Sequence, residues 1–402
     1  MAEVPLRRNR DFVLLQVGQF LSSGGTAATS VAYPLLALAI THSAAQTGVI
    51  AFARAVPATL LALPAGVAAD RWSRRILMIA ADGIRVLALG ALAIAILGGV
   101  ASFPLILAVA LVEGIGSVVF SGAQAGALRA VVPAAQLPAA VSATVGREAV
   151  VRLAGPPFGG ALFSVARSLP FLFDVASYAV STVSLLAMHT PFEEERERDD
   201  SPLRVQLVEG YRFLWGRPFL RTCALLFGIG NFIAPGLLLA VVVIGKAQGL
   251  SGGEIGALVA AFGVCLLLGS FASGSVRRLL PVRAILLLEL WTWLSCAAFL
   301  VWPNAYVLMV GLMLPGLVIP STDSVVHGYR IAMTPDRLLG RGESAWRTTS
   351  QLIAPLGPLL AGVLLASTSP RATIAVFTGS ALVLALWGTL SPSIRSEPPP
   401  KP

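Results

Sequence analysis

GVAADRWSRR, residues Gly66–Arg75, closes one long apolar run at Asp70 and, after three arginines and a tryptophan, opens another at Ile76. So short and basic a segment between two apolar runs reads as a hairpin joining two membrane-spanning helices. The small residues Gly66, Ala68 and Ala69 are expected to let the helix ends approach closely. Asp70 sets a negative charge beside Arg71, Arg74 and Arg75.

Composition supports a bilayer setting. Of 402 residues, 56% are hydrophobic and 12% charged, against about 25% charged in soluble domains. The net charge of +9 does not point to nucleic acid, because the arginines sit in short gaps between apolar runs and form no basic stripe with interleaved aromatics. Arg7, Arg8 and Arg10 before the first run mimic a signal peptide, but the run continues past Leu35 without a cleavage signal and is expected to be retained. Cys223, Cys265 and Cys296 fall inside apolar runs and are expected to be small buried side chains.

A spanning helix needs roughly 20 apolar residues. Twelve candidates occur, at 12–40, 46–69, 76–98, 102–124, 138–164, 168–190, 219–245, 253–276, 283–302, 304–327, 344–367 and 371–391. Pro315 and Pro320 make 304–327 the least regular of them. Counting alternate gaps and the termini, 21 of the 29 basic residues fall on one side and 3 on the other. By the positive-inside rule both termini are cytoplasmic, in a multi-pass protein of the cell inner membrane. The long polar gap gives a division into 1–190, a linker at 191–218 and 219–402. The linker opens with an acidic run, Phe192–Asp200, and closes with Leu203–Trp215, where Leu203, Leu207, Tyr211 and Leu214 share a helical face.

The halves repeat. At a shift of 202, Pro133 falls on Pro335, Gly155-Pro156 on Gly357-Pro358 and Gly160 on Gly362; at 203, Gly66 with Arg74-Arg75 falls on Gly269 with Arg277-Arg278. The expected fold is therefore an all-α membrane protein of 12 transmembrane helices in two pseudo-symmetric six-helix bundles.

The stretch 66–85, GVAADRWSRRILMIAADGIR, resembles the loop motif between helices 2 and 3 of the major facilitator superfamily. GPPFGG at 155–160 is similar to the helix 5 motif of its antiporters. With FLFDVASYAVS at 171–181 and VEGYRFLWGRP at 208–218, the chain resembles the exporter branch that includes enterobactin and macrolide exporters. The resemblance implies alternating access and export of a small organic molecule, a drug, antibiotic or siderophore-like compound, by proton antiport. Uptake of a nutrient by proton symport and a non-transporting sensor or assembly role are the alternatives. The expected partners are the small-molecule substrate, protons and membrane lipids, with the chain a monomer.

Ionisable groups inside spans are functional candidates. Asp82 and Arg85, three apart on one face, are expected to lock the cytoplasmic gate with Gly66, Asp70, Arg71, Arg74 and Arg75. Glu113, before Gly114-Ile115-Gly116, is a midplane carboxylate that takes the proton or, neutral, contacts substrate; superfamily members often carry an arginine in helix 4 near here, and this chain does not. Arg54 needs a partner, for which Asp174 is the candidate. Glu148 is expected to pair with Arg152, four residues on, leaving Arg147 toward a cavity or gate. Gly155, Pro156, Gly159 and Gly160 are expected to let helix 5 pack closely and bend. Glu289 and Asp323 lie in the second half, each about 10 Å from the basic side at 1.5 Å per residue, with His327 one turn beyond Asp323. GxxxxGK, HExxH, GxSxG and paired cysteines are missing from the sequence, so neither an enzyme activity nor a cofactor nor a metal is expected.

Overall fold

A computed structural model describes residues 5–190, 192, 203–335 and 338–395. The side chains of Asp70, Leu203, Arg204, Leu207 and Leu339 lie outside the described set, as do Arg196, Arg198, Arg337, Lys401 and most of the acidic linker. In chain order the helices are α1 (Arg10–Thr41), α2 (Ala44–Leu60), α3 (Ala62–Arg71), α4 (Arg74–Leu97), α5 (Phe103–Val131), α6 (Leu137–Val165), α7 (Leu169–Ala187), α8 (Leu203–Trp215), α9 (Pro218–Ala247), α10 (Gly252–Leu279), α11 (Val282–Thr292), α12 (Ala298–Val301), α13 (Ala305–Met333), α14 (Leu339–Gln351), α15 (Leu356–Ser367), α16 (Pro370–Leu390) and α17 (Pro392–Arg395). Helix is the form a lone segment takes in hydrocarbon, since it satisfies its own N–H and C=O groups.

Ten of these segments are long and apolar enough to cross a membrane, and α2 with α3, bent by 52°, make an eleventh. The twelfth expected span is α6, 29 residues long but carrying Arg147, Glu148 and Arg152. Apolar side chains point outward, with Leu87 74%, Ile94 70% and Phe271 86% exposed. Exposed apolar side chains in such number would be a liability on a water-soluble surface if they formed large patches; on a multi-pass membrane protein they meet acyl chains.

The irregularities do not lie where the prolines of 304–327 suggested. α13 runs unbroken through Pro315 and Pro320. A proline abandons the carbonyl four residues back; for Pro315 that is Gly311, whose oxygen accepts a 2.6 Å hydrogen bond from Ser295 Oγ. The breaks fall elsewhere. Pro64 lies four residues after Leu60, where α2 ends, and Pro355 four after Gln351, where α14 ends. A further irregularity is the 3-10 turn Trp293–Ala297, whose backbone around Cys296 packs on Gly311.

The chain forms two compact units: Met1–Glu197 with Gly249–Ala260, and Arg198–Gln248 with Ala261–Pro402. In the first, α1 packs along α6 and α7, and α4 along α5 and α7. Glycines set the closest approaches. A Cβ at Gly155 would overlap Ala27 and one at Gly159 the Ala28 backbone, both on α1; one at Gly160 would overlap Gly252. In the second unit Gly357 lies in the same way against Phe232 of α9, so the sequence repeat reappears as a packing repeat. The close approach expected at Gly66 is shifted by one residue: no described atom comes within 4 Å of a Cβ built there, whereas the Ala65 oxygen would lie 3.2 Å from one at Gly122. Also in the second unit, α8 docks on α14, with Gly210 against the Arg341 carbonyl and Glu209 ion-paired to Arg341.

Gly159→Val is expected to lower the thermal unfolding temperature of the detergent-purified protein, by an overpacking cost of about 1–3 kcal/mol. Gly146→Ala in the same helix, where nothing lies within 4 Å, is expected to raise it, since Ala is favoured over Gly in a helix by about 1 kcal/mol.

Candidate functional site

The charged residues inside the first unit converge. Arg54 of α2 reaches Glu113 of α5 with both arms of its fork: Nε to Oε2 at 3.1 Å and Nη2 to Oε1 at 2.7 Å. The Arg54 side chain is 21% exposed and Glu113 2%. Bidentate geometry of this kind makes a buried ion pair tolerable. Arg54 Nη2 also donates to the Thr26 carbonyl at 3.3 Å and to Thr29 Oγ1 at 3.4 Å, and the guanidinium lies 5.1 Å over the Tyr33 ring.

Asp174 of α7, fully buried, receives hydroxyls: Thr29 Oγ1 donates to Oδ2 at 3.0 Å and Ser177 Oγ to Oδ1 at 3.1 Å. It makes no ion pair among the described residues. The expected Arg54–Asp174 pair is thus corrected: Arg54 holds Glu113, and Thr29 stands between Arg54 and Asp174, accepting from one and donating to the other.

On α4, Asp82 and Arg85 form a second buried ion pair. Arg85 is also sandwiched by rings, 4.1 Å over Tyr178 and 5.1 Å over Phe120, and the Tyr178 hydroxyl shares a 2.7 Å hydrogen bond with Thr26 Oγ1. The two ion pairs are therefore joined through Tyr178 and Thr26. Three glycines make room for this packing: a Cβ at Gly114 would overlap the Arg54 backbone, one at Gly116 would lie 2.8 Å from Arg85 Cγ, and one at Gly25 would overlap Asp174.

The remaining expected residues separate into two places. Arg74 Nη1 donates to the Phe192 carbonyl at 3.2 Å, and Arg75 Nη2 donates to the carbonyls of Leu186 and Met188, each at 2.7 Å. Arg75 thus caps the last turn of α7, whose carbonyls lack helical partners, and Arg74 holds the segment that follows it. Asp11 completes the cap by accepting from the His189 and Thr190 amides at 3.1 and 2.7 Å. Arg71 is exposed. Arg147 of α6 donates from Nη1 to Gln16 Oε1 at 2.7 Å and Gln19 Oε1 at 2.6 Å, while Gln124 Nε2 donates to Gln19 Oε1 at 3.0 Å. Glu148 approaches Arg147, at 3.9 Å, and not Arg152 as its spacing suggested; Arg147 is held inward by Gln16 and Gln19 of α1.

Sequence reasoning missed the uncharged members: Gln16, Gln19, Ser22, Thr26, Thr29 and Tyr33. Their spacing of three and four residues is one polar stripe along α1, a signal visible in the first span once charge is not the only criterion.

Comparison with known proteins agrees with this architecture. Residues 2–391 match the family model described as transmembrane secretion effector. The multidrug efflux pump Tap of Mycolicibacterium fortuitum is 25% identical over 400 residues, covering 95% of this chain and 96% of that protein. Among solved structures, a bacterial homologue of the human lysosomal transporter Spinster, inward-facing and unoccupied, aligns with TM-score 0.74 at 16% identity over 97% of this chain and 98% of its own. A bacterial homologue of the iron transporter ferroportin aligns with 0.74 at 15% over 96% and 99%, and a D-xylose–proton symporter with 0.67 at 12% over 94% and 96%.

Arg54→Met strands Glu113 as a buried uncompensated charge and is expected to cost about 3–5 kcal/mol, measured as a fall in thermal unfolding temperature in detergent. Arg54→Met with Glu113→Leu removes both charges and is expected to recover most of that loss; equal destabilisation by the single and double changes would refute the pairing.

Proposed function

Since the chain belongs to the transmembrane secretion effector family of the major facilitator superfamily, we propose that this transporter exports a small organic molecule by alternating access, driven by protons moving the other way. The observation that carries this is the end-to-end similarity to an efflux pump, over 95% of this chain. Similarity to solved structures supports the fold alone, because that set includes a symporter. The 21-to-3 asymmetry of basic residues supports cytoplasmic termini in an inner membrane, so substrate loads from the cytoplasm or inner leaflet.

In this scheme Asp174 and Glu113 are the proton-responsive carboxyls and Arg54 is the switch between them. Arg54 rests on Glu113. A proton arriving on Glu113 neutralises it, and the freed guanidinium turns to Asp174, which Thr29 already links to it. Loss of the proton reverses the exchange. A cation moving between two carboxylates couples a proton to the packing of α1, α2, α5 and α7, the helices that supply these groups. Asp82 with Arg85 transmits that repacking along α4, and Arg74 with Arg75 ties it to the end of α7. Gly66, Asp70 and Arg71 belong to the gating hairpin. Arg147 and Glu148 with their glutamines are a polar wall for substrate, and Gly155, Pro156, Gly159 and Gly160 form the close seam along which α6 moves. Lipid, protons and substrate are the partners, and the chain acts as a monomer.

Cells expressing the chain should survive higher concentrations of some members of a panel of antibiotics and siderophores than cells without it. In inverted vesicles, accumulation of an affected compound should require an imposed gradient with an acidic lumen; accumulation indifferent to that gradient would remove proton coupling. Asp70→Asn should insert normally and lose flux. Asp174→Asn should keep exchange of labelled for unlabelled compound while losing gradient-driven accumulation.

A further inference from the structure

The second unit holds a carboxyl that the scheme above leaves without work. Glu289 of α11 opens onto a cavity of about 10 Å³, the size for roughly one water molecule. Leu226 and Phe227 of α9, Leu286 of α11 and Leu384 of α16 give it an apolar wall, and Glu289, Trp293 and Thr322 supply its polar atoms. Glu289 and Trp293 are four residues apart, so they stand one above the other on the same face. Trp293 is 1% exposed, and its indole N–H has no acceptor within hydrogen-bond reach among the described residues. A buried N–H left that way costs about 1–3 kcal/mol, and the Thr322 hydroxyl beside the same cavity is likewise without a partner among the described residues.

The charged and titratable groups around Glu289 are few. From α13 come Asp323, which has its own partner, and Arg330, which pairs with Glu343 and stacks on Trp346. His327 of α13 is exposed. Arg283 is six residues back on α11 and has a partner of its own. α9 offers the buried Cys223 thiol and α16 only apolar contacts here. Glu289 itself makes no ion pair among the described residues. A carboxyl with no ion-pair partner among the described residues, beside a water-sized cavity, is a candidate to exchange a proton with that water.

We propose that this cavity is a proton-loading site of the second unit, in which a water held by the Trp293 N–H and the Thr322 hydroxyl passes a proton to Glu289. The step balances simply: a hydronium ion gives its proton to a carboxylate oxygen, leaving a neutral carboxyl and a water, and the reverse step releases it. It rests on the proton-driven reading above and adds a second carrier to it, in the half of the chain that holds neither Glu113 nor Asp174. Each unit then has its own protonatable group.

Infrared spectroscopy of the purified full-length chain in detergent, titrated with pH, tests this without any transported compound. The protonated-carboxyl C=O band of the wild type should lose one titrating component in Glu289→Gln. Trp293→Phe, which keeps the ring and removes the N–H, should displace that component's midpoint by up to about one pH unit, a tenfold change in proton affinity. A Glu289→Gln spectrum superimposable on the wild type at every pH would overturn the proposal, as would an unmoved midpoint in Trp293→Phe. Should Glu289→Gln not insert, the Trp293→Phe midpoint carries the test alone. Absence of gradient-driven flux in vesicles would instead defeat the transport reading and leave these titrations unaffected.

Discussion

A guanidinium with two bonds to one carboxylate, in a bundle that excludes water, is the constraint on which the first unit is arranged. Arg54 and Glu113 come from different helices, and neither could be buried without the other. To bring them together α5 must press on α2, and Gly114 is the residue that lets it. The same requirement is repeated one layer away, where Gly116 makes room for Arg85 and its Asp82 partner. Charge burial thus explains the glycines, and the glycines explain the helix spacing.

Asp174 is the exception in this arrangement. It is buried as deeply as the paired acids, yet its partners are hydroxyls. Two cations and three carboxyls in one network leave an imbalance, and an imbalance in low dielectric is resolved by a proton or by movement of a cation. A purely structural network would gain by closing its own charge count. The Glu289 cavity is simpler: one carboxyl, one small space and two unpartnered polar groups, the Trp293 N–H and the Thr322 hydroxyl.

Much of the site was legible in the chain as isolated residues. Arg54, Asp82, Arg85, Glu113 and Asp174 stand out because charge in an apolar run is costly enough to require a reason. Their partners were less legible. Asp82 with Arg85 could be paired from spacing because both lie on one helix, three residues apart. Arg54 with Glu113 could not, because the choice between Glu113 and Asp174 depends on how α2 is rotated against α5 and α7. Glu148 illustrates the same limit: spacing favoured Arg152, but packing of α6 on α1 turned Arg147 inward to the glutamines. The uncharged stripe of α1, from Gln16 to Tyr33, was present as periodicity and was masked by the stronger signal of the charges.

Sequence alone determined that this chain lives in a bilayer, roughly where its apolar spans fall, and that a pattern of residues recurs between its halves. Those properties follow from the cost of exposing a peptide group or a charge to hydrocarbon, which is paid residue by residue along the chain. Tertiary structure decided which buried charge answers which, where helices break and which glycines are in contact. Pro64 and Pro355 follow helix ends by four residues, while Pro315 lies within α13, where Ser295 from another segment reaches the carbonyl that Pro315 leaves free. Such outcomes depend on atoms brought together from distant parts of the chain, and their geometry exists only once the helices have chosen their neighbours.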